Sequence, residues 1–225
     1  EMTSSLVGSE MCIRDRNIYI WSIVTCVYIT VMTLVLIEGL NVKCFAAGVG
    51  CVGGVLVAGA LELLLRDQIK MSGVLDSEWL YLYNLRKDNP IDLKAIIFAM
   101  IIVGAVGAVM DVAMSIASSL CEINEKSPDL PARELLKSGL TIGRDIMGTM
   151  ANTLVLAYIG SALCCMLLMV TYSSNVSQIL NREQIAVEIL QALAGSIGIL
   201  AALPLTAITS VLCLKPLNRI KRSVH

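Results

Sequence analysis

Asp111 is a carboxylate set inside a long stretch with no other charge, from Ala95 to Ser119. Spacings of three and four place Gly104, Gly107, Asp111, Ser115, Ser118 or Ser119, and Glu122 along one helical face. A second stretch, Gly143-Arg-Asp-Ile-Met-Gly-Thr-Met-Ala-Asn-Thr153, puts Asp145, Thr149, Asn152 and Thr153 together on another face, with Arg144 beside them. A titratable carboxylate among hydroxyls and an amide can take up a proton or small cation and release it again. That is the chemistry of coupling, not of bond cleavage. In hydrocarbon a carboxylate costs about 2.5–3.5 kcal/mol on insertion scales, so Asp111 must face other helices or water. The expectation is that Asp111, Ser115, Thr149 and Asn152 point into one shared interhelical space.

The elements that would carry these residues are membrane spans. The chain has 225 residues, of which 56% are hydrophobic and 16% charged, with a mean hydropathy of +0.78. That is too apolar for a soluble domain of this length. A bilayer core of about 30 Å needs about 20 apolar residues in a helix. Spans are expected near 18–37, 44–65, 95–120, 146–172 and 189–214, giving an all-α, polytopic helical membrane protein with about five transmembrane helices. Residues 1–16 read as a non-native leader, because Met11-Cys-Ile-Arg-Asp-Arg16 resembles the translation of a transposon end used to prepare sequencing libraries, with a natural charged membrane flank as the alternative. Residues 17–225 then form the helical transmembrane domain, with a native start expected further upstream.

Within the spans, Gly50 and Gly54 stand four apart in a glycine-rich second segment, and Gly104 and Gly107 lie in the third. Small residues at such spacing let helix backbones approach closely, so all four are expected at packing contacts. Glu62, near the end of its span, is expected to reach the interface, with an inward position as the alternative. Residues 76–83 read as a short amphipathic interfacial helix, and Asp92 as the cap of the third span. Ser127-Pro-Asp-Leu-Pro131 breaks the chain, a new amphipathic helix starts at Ala132, and Gly139 and Gly143 bracket a turn into the fourth span. Pro204 is expected to kink the last one.

Several function classes drop out. The net charge of −1 says nothing for nucleic acid. The eight cysteines sit mostly in apolar segments without a CxxC pair, and the single histidine is the terminal His225. No metal site, cofactor or catalytic triad is expected. An intramembrane acid enzyme built on Asp111, Asp145 and Glu122 lacks the flanking residues such chemistry uses. Lys43, Lys126, Arg133, Lys137, Arg144, Lys215, Arg219, Lys221 and Arg222 fall on one side. Arg66, Lys70, Arg86, Lys87, Lys94 and Arg182 fall on the other. The richer side is cytoplasmic by the positive-inside rule, which puts the C-terminus there.

Gly104-Ala-Val-Gly-Ala-Val-Met-Asp-Val-Ala-Met-Ser-Ile-Ala-Ser118 and Gly143-Arg-Asp-Ile-Met-Gly-Thr-Met-Ala-Asn-Thr-Leu-Val-Leu-Ala-Tyr158 resemble the YibE/F family of bacterial multipass membrane proteins. The resemblance covers roughly residue 22 to the C-terminus. It implies a plasma-membrane protein of permease type without an assigned substrate, and an extracytoplasmic region ahead of these spans. The carboxylate-bearing helix, the connector Pro131-Ala-Arg-Glu-Leu-Leu136 and the Thr-rich helix after it are also similar, more weakly, to helices of SecD/SecF and RND-type exporters. The function expected is a permease or transporter component with a membrane-embedded acidic site. The alternative is a structural or assembly protein without transport activity. The partners expected are the lipid bilayer and either a second copy or another membrane subunit.

Overall fold

The computed structural model describes residues 18–39, 41–69, 92–172, 177 and 181–224, which include five helices and no strand. They are α1 (Ile18–Glu38), α2 (Val42–Ile69), α3 (Leu93–Lys126), α4 (Ala132–Tyr172) and α5 (Glu183–Val224). Each holds a window long and apolar enough to cross a bilayer. Residues 1–16 and 76–83 lie outside the described residues. At 41 residues, α4 is about 61 Å long by its helical rise, roughly twice the hydrocarbon thickness, so it extends beyond the membrane.

The helix ends follow local chemistry. Gly39 takes a positive φ of 71° and returns its N–H to the Val35 carbonyl at 3.0 Å, closing α1 as a glycine C-cap does. Asp92 caps α3, its Oδ1 accepting from the Lys94 N–H at 3.1 Å and the Ala95 N–H at 3.3 Å. The Ser127–Pro131 break separates α3 from α4. No turn follows at Gly139 and Gly143, contrary to expectation, because both glycines are consumed in packing. A Cβ on Gly139 would lie 2.8 Å from Leu120 Cδ1, and one on Gly143 would lie 2.7 Å from Leu203 Cγ. The helix runs through them, with α3 and α5 seated against their bare faces.

Three helices, α2, α3 and α5, make the centre. A Cβ on Gly54 would stand 2.7 Å from the Gly198 carbonyl oxygen, 2.8 Å from Ala202 Cβ and 2.8 Å from Val109 Cγ1. Gly198 returns the relation, since its own Cβ would lie 3.2 Å from the Gly54 carbonyl oxygen. A side chain on Gly50 would collide with Thr206. Backbone therefore meets backbone along the α2–α5 seam, in the manner that small residues permit between membrane helices. Thr206 satisfies its hydroxyl on the Ala202 carbonyl at 2.8 Å, while Thr209 Oγ1 reaches across to the Ala46 carbonyl at 3.3 Å. Around this seam Val109, Val112, Ile116, Leu120 and Ile199 are fully buried.

The other two helices flank the triad. α1 leans on α2 and α3, with the Tyr19 and Phe98 rings 5.1 Å apart and the Tyr19 hydroxyl 3.4 Å from Asp92 Oδ2. α4 lies against α3 and α5, and most of its apolar window is left outside the bundle. Pro204 sits on the outer surface of α5, within a helix that continues past it.

The seam makes a sharp prediction. Gly54→Val drives a branched side chain into a carbonyl, and overpacking of this kind costs about 1–3 kcal/mol or more. Gly48→Ala meets only Leu34 Cδ1 at 3.6 Å, an ordinary contact. Thermal melts in detergent should show Gly54→Val unfolding many degrees early and Gly48→Ala melting like the parent.

Candidate functional site

The polar residues divide between an outward face and the interior. On α4 the side facing the bundle runs Leu135, Gly139, Gly143, Met147, Met150, Leu154, Tyr158 and Ala162, in steps of three and four. Arg144, Asp145, Gly148, Thr149, Asn152 and Thr153 are all exposed on the remaining surface. On α3, Asp111 and Gly107 are exposed as well, and Ser115 is half-buried. The enclosed space expected among Asp111, Ser115, Thr149 and Asn152 is not formed within one chain. The reason lies in the glycines: Gly139 and Gly143 make the inner side of α4 its flattest, and the polar side chains point off the opposite faces.

The outward residues differ in how far each satisfies itself. Ser115 donates to the Asp111 carbonyl at 2.8 Å, Thr149 to the Ile146 carbonyl at 2.8 Å and Thr153 to the Met150 carbonyl at 2.9 Å. A hydroxyl bonded back to its own helix is tolerable in hydrocarbon. A carboxylate and a primary amide have no such escape. Asp111 and Asn152 have no side-chain hydrogen bond or ion pair among the described residues.

Depth is set by the packing of α3 on α4. Leu120 meets Gly139 and Ile116 meets Gly143, four-residue steps on both antiparallel helices. Continuing that register sets Asp111 level with Gly148, and Gly107 level with Asn152. Of the glycines singled out for packing, Gly50, Gly54 and Gly104 meet neighbouring helices, whereas nothing lies within 4 Å of a Cβ on Gly107. The same is true of Gly148.

The interior set lies toward the opposite end of the bundle. Glu62 is fully buried rather than interfacial, because Ala58 and Gly59 on the same face are drawn against α5 and α3. Gly104 is bare where Gln191 and Tyr158 converge: its Cβ would lie 2.8 Å from Gln191 Nε2 and 2.9 Å from the Tyr158 hydroxyl. Beside them a cavity of about 320 Å³ opens between α4 and α5, lined by Val155, Tyr158, Met166, Glu188, Ala192 and Ser196 among others. Glu188 Oε2 is buried without a hydrogen-bond partner among the described residues, and Gln184 Nε2 donates to Cys165 Sγ at 2.8 Å. Reasoning from sequence did not single out Tyr158 or Glu188. The available signal was Glu188-x-x-Gln191 followed by Gly195 and Gly198, a polar pair and a small pair at helical spacing on α5.

The YibE/F-like protein family model matches residues 8–216. The chain belongs to the YibE/F-like family. The match begins inside the stretch 1–16 and covers all five helices of this YibE/F-like chain up to Pro216. No curated protein and no solved structure matches it significantly. The family and the five apolar helices make it a multipass membrane protein.

Glu188 gives the second prediction. A buried, unsatisfied polar group costs about 1–3 kcal/mol, more when charged. Glu188→Leu should therefore raise the melting temperature in detergent by several degrees. A lower melting temperature would show that the carboxylate has a stabilising partner in the folded protein.

Proposed function

We propose that this YibE/F-like protein is a permease or transporter component of the plasma membrane, with a membrane-embedded acidic site at Asp111 and its C-terminus in the cytoplasm. The observation that carries the reading is Asp111 itself: a carboxylate inside an apolar span, held on a rigid helix and left without a cation among the described residues. A structural ion pair would show its partner. A group that exchanges protons or a cation needs an approach, which on this reading runs along the α3–α4 flank where Asp111 lies. Thr149 stands near the depth of Asp111 and Asn152 about one turn away, offering oxygen and amide contacts along the path. Arg144 and Asp145, exposed about one turn closer to the C-terminal end of the bundle, would mark the mouth of such a path. The basic excess on that end supports the cytoplasmic assignment. On this reading the role of Asp111 is coupling rather than catalysis.

A second reading is favoured by a specific observation. The polar face of α4 points away from its own bundle, as it would if it pinned the protein to another membrane subunit. On that reading Asp111 and Asn152 are assembly contacts and no solute moves.

Asp111→Asn separates the two. Asparagine keeps the shape and the hydrogen bonding and loses the titratable proton. In a growth or uptake screen of the full-length protein, the variant is expected to insert at parental levels and lose at least tenfold in activity. Parental activity in Asp111→Asn would leave the carboxylate a structural role and remove the transport reading's main support.

A further inference from the structure

We propose that the outward polar face of α3 and α4 is a dimer interface, closed by a second copy of this chain whose Gly148 receives Asp111 and whose Asn152 fits over Gly107. The need for an occupant comes from the bilayer. Asp111 and Asn152 cannot be satisfied by their own helices and have no partner among the described residues, so lipid contact leaves both groups unpaired in hydrocarbon.

The identity of the occupant comes from the register. Copies related by a two-fold axis along the membrane normal keep every residue at its own depth. Asp111 can then meet only residues of the partner at its own level, and α3–α4 packing puts Gly148 there, with Thr149 beside it. By the same register Gly107 is level with Asn152. Each long polar side chain thus falls opposite a glycine, and each glycine is one whose would-be Cβ meets nothing in the single chain. Both halves of the contact are present on one chain, as an isologous interface requires. Thr149 of the second copy, level with Asp111, would then turn its hydroxyl from the Ile146 carbonyl to the carboxylate. Interhelical polar contacts of this kind are an established glue between membrane helices.

The interface goes beyond the transport reading and stands whether or not a solute moves, so its test reads association alone. Two differently tagged full-length copies are co-expressed, extracted in mild detergent and recovered through one tag. The wild-type pair should co-purify. Gly148→Leu and Gly107→Leu fill space that is empty in the single chain, so each should stay monodisperse while co-recovery falls at least tenfold. Leu163→Ala, on an exposed α4 position at another level, should co-purify like the parent. If a leucine variant aggregates, Gly148→Ala replaces it, with an intermediate loss expected. Wild-type copies that do not co-purify, or glycine variants that co-purify fully, would overturn the interface. A different membrane protein lost on Gly148→Leu, with no second copy recovered, would overturn the second-copy assignment in favour of a foreign subunit.

Discussion

The bundle is arranged around the contact between the Gly54 and Gly198 backbones. Hydrocarbon gives apolar helices no hydrophobic reason to associate, so close van der Waals approach has to do it. Two glycines that trade carbonyl contacts bring α2 and α5 to backbone distance. α3 is then held by Val109 against Gly54 and Gly198, and by Ile102 and Phe98 against Gly59. The contacts that close the triad involve neither α1 nor α4. Glu62 is buried as a consequence, since the same face of α2 that carries Gly54 and Ala58 carries it inward.

α4 is joined on different terms. Its contact with the triad is a row of small positions, Gly139 and Gly143, over which Leu120, Ile116 and Leu203 close. Committing that row to packing rotates the polar row outward. The chain thus separates two sorts of polar group. Glu62 is buried and Tyr158, Glu188 and Gln191 are half-buried near one end of the bundle. Asp111, Asp145, Thr149 and Asn152 are displayed on its flank. A protein with its polar groups only inside would be a self-contained bundle. One that displays a carboxylate and an amide inside apolar spans has a surface still to be matched by water or protein.

Much of this could be read from the sequence, and the boundary is physical. Five spans follow from length and hydropathy, and the cap at Asp92 and the break at Ser127–Pro131 follow from local chemistry. The closeness of Gly50 and Gly54 to a neighbour is a property of residue size and spacing. Which face of a helix turns inward is not. Small and polar residues shared the faces of α3 and α4, and periodicity alone does not rank a glycine row above a polar row. Packing did: bare backbone at Gly139 and Gly143 admitted the neighbours, and the polar row took what surface remained. The pairing of Tyr158 with Gln191 over Gly104 depends on three helices meeting, which spacing within any one helix does not encode.

On the transport reading, Asp111 gains and loses a proton from within the membrane span, whether or not a second copy covers its face. Infrared difference spectra of the full-length protein in lipid bilayers, recorded across a pH titration, test it most directly, with Asp111→Asn identifying the band. A carboxyl signal that appears and disappears reversibly with pH, and is absent from the variant, is expected. A spectrum in which no pH-dependent carboxyl band is lost on Asp111→Asn would contradict it.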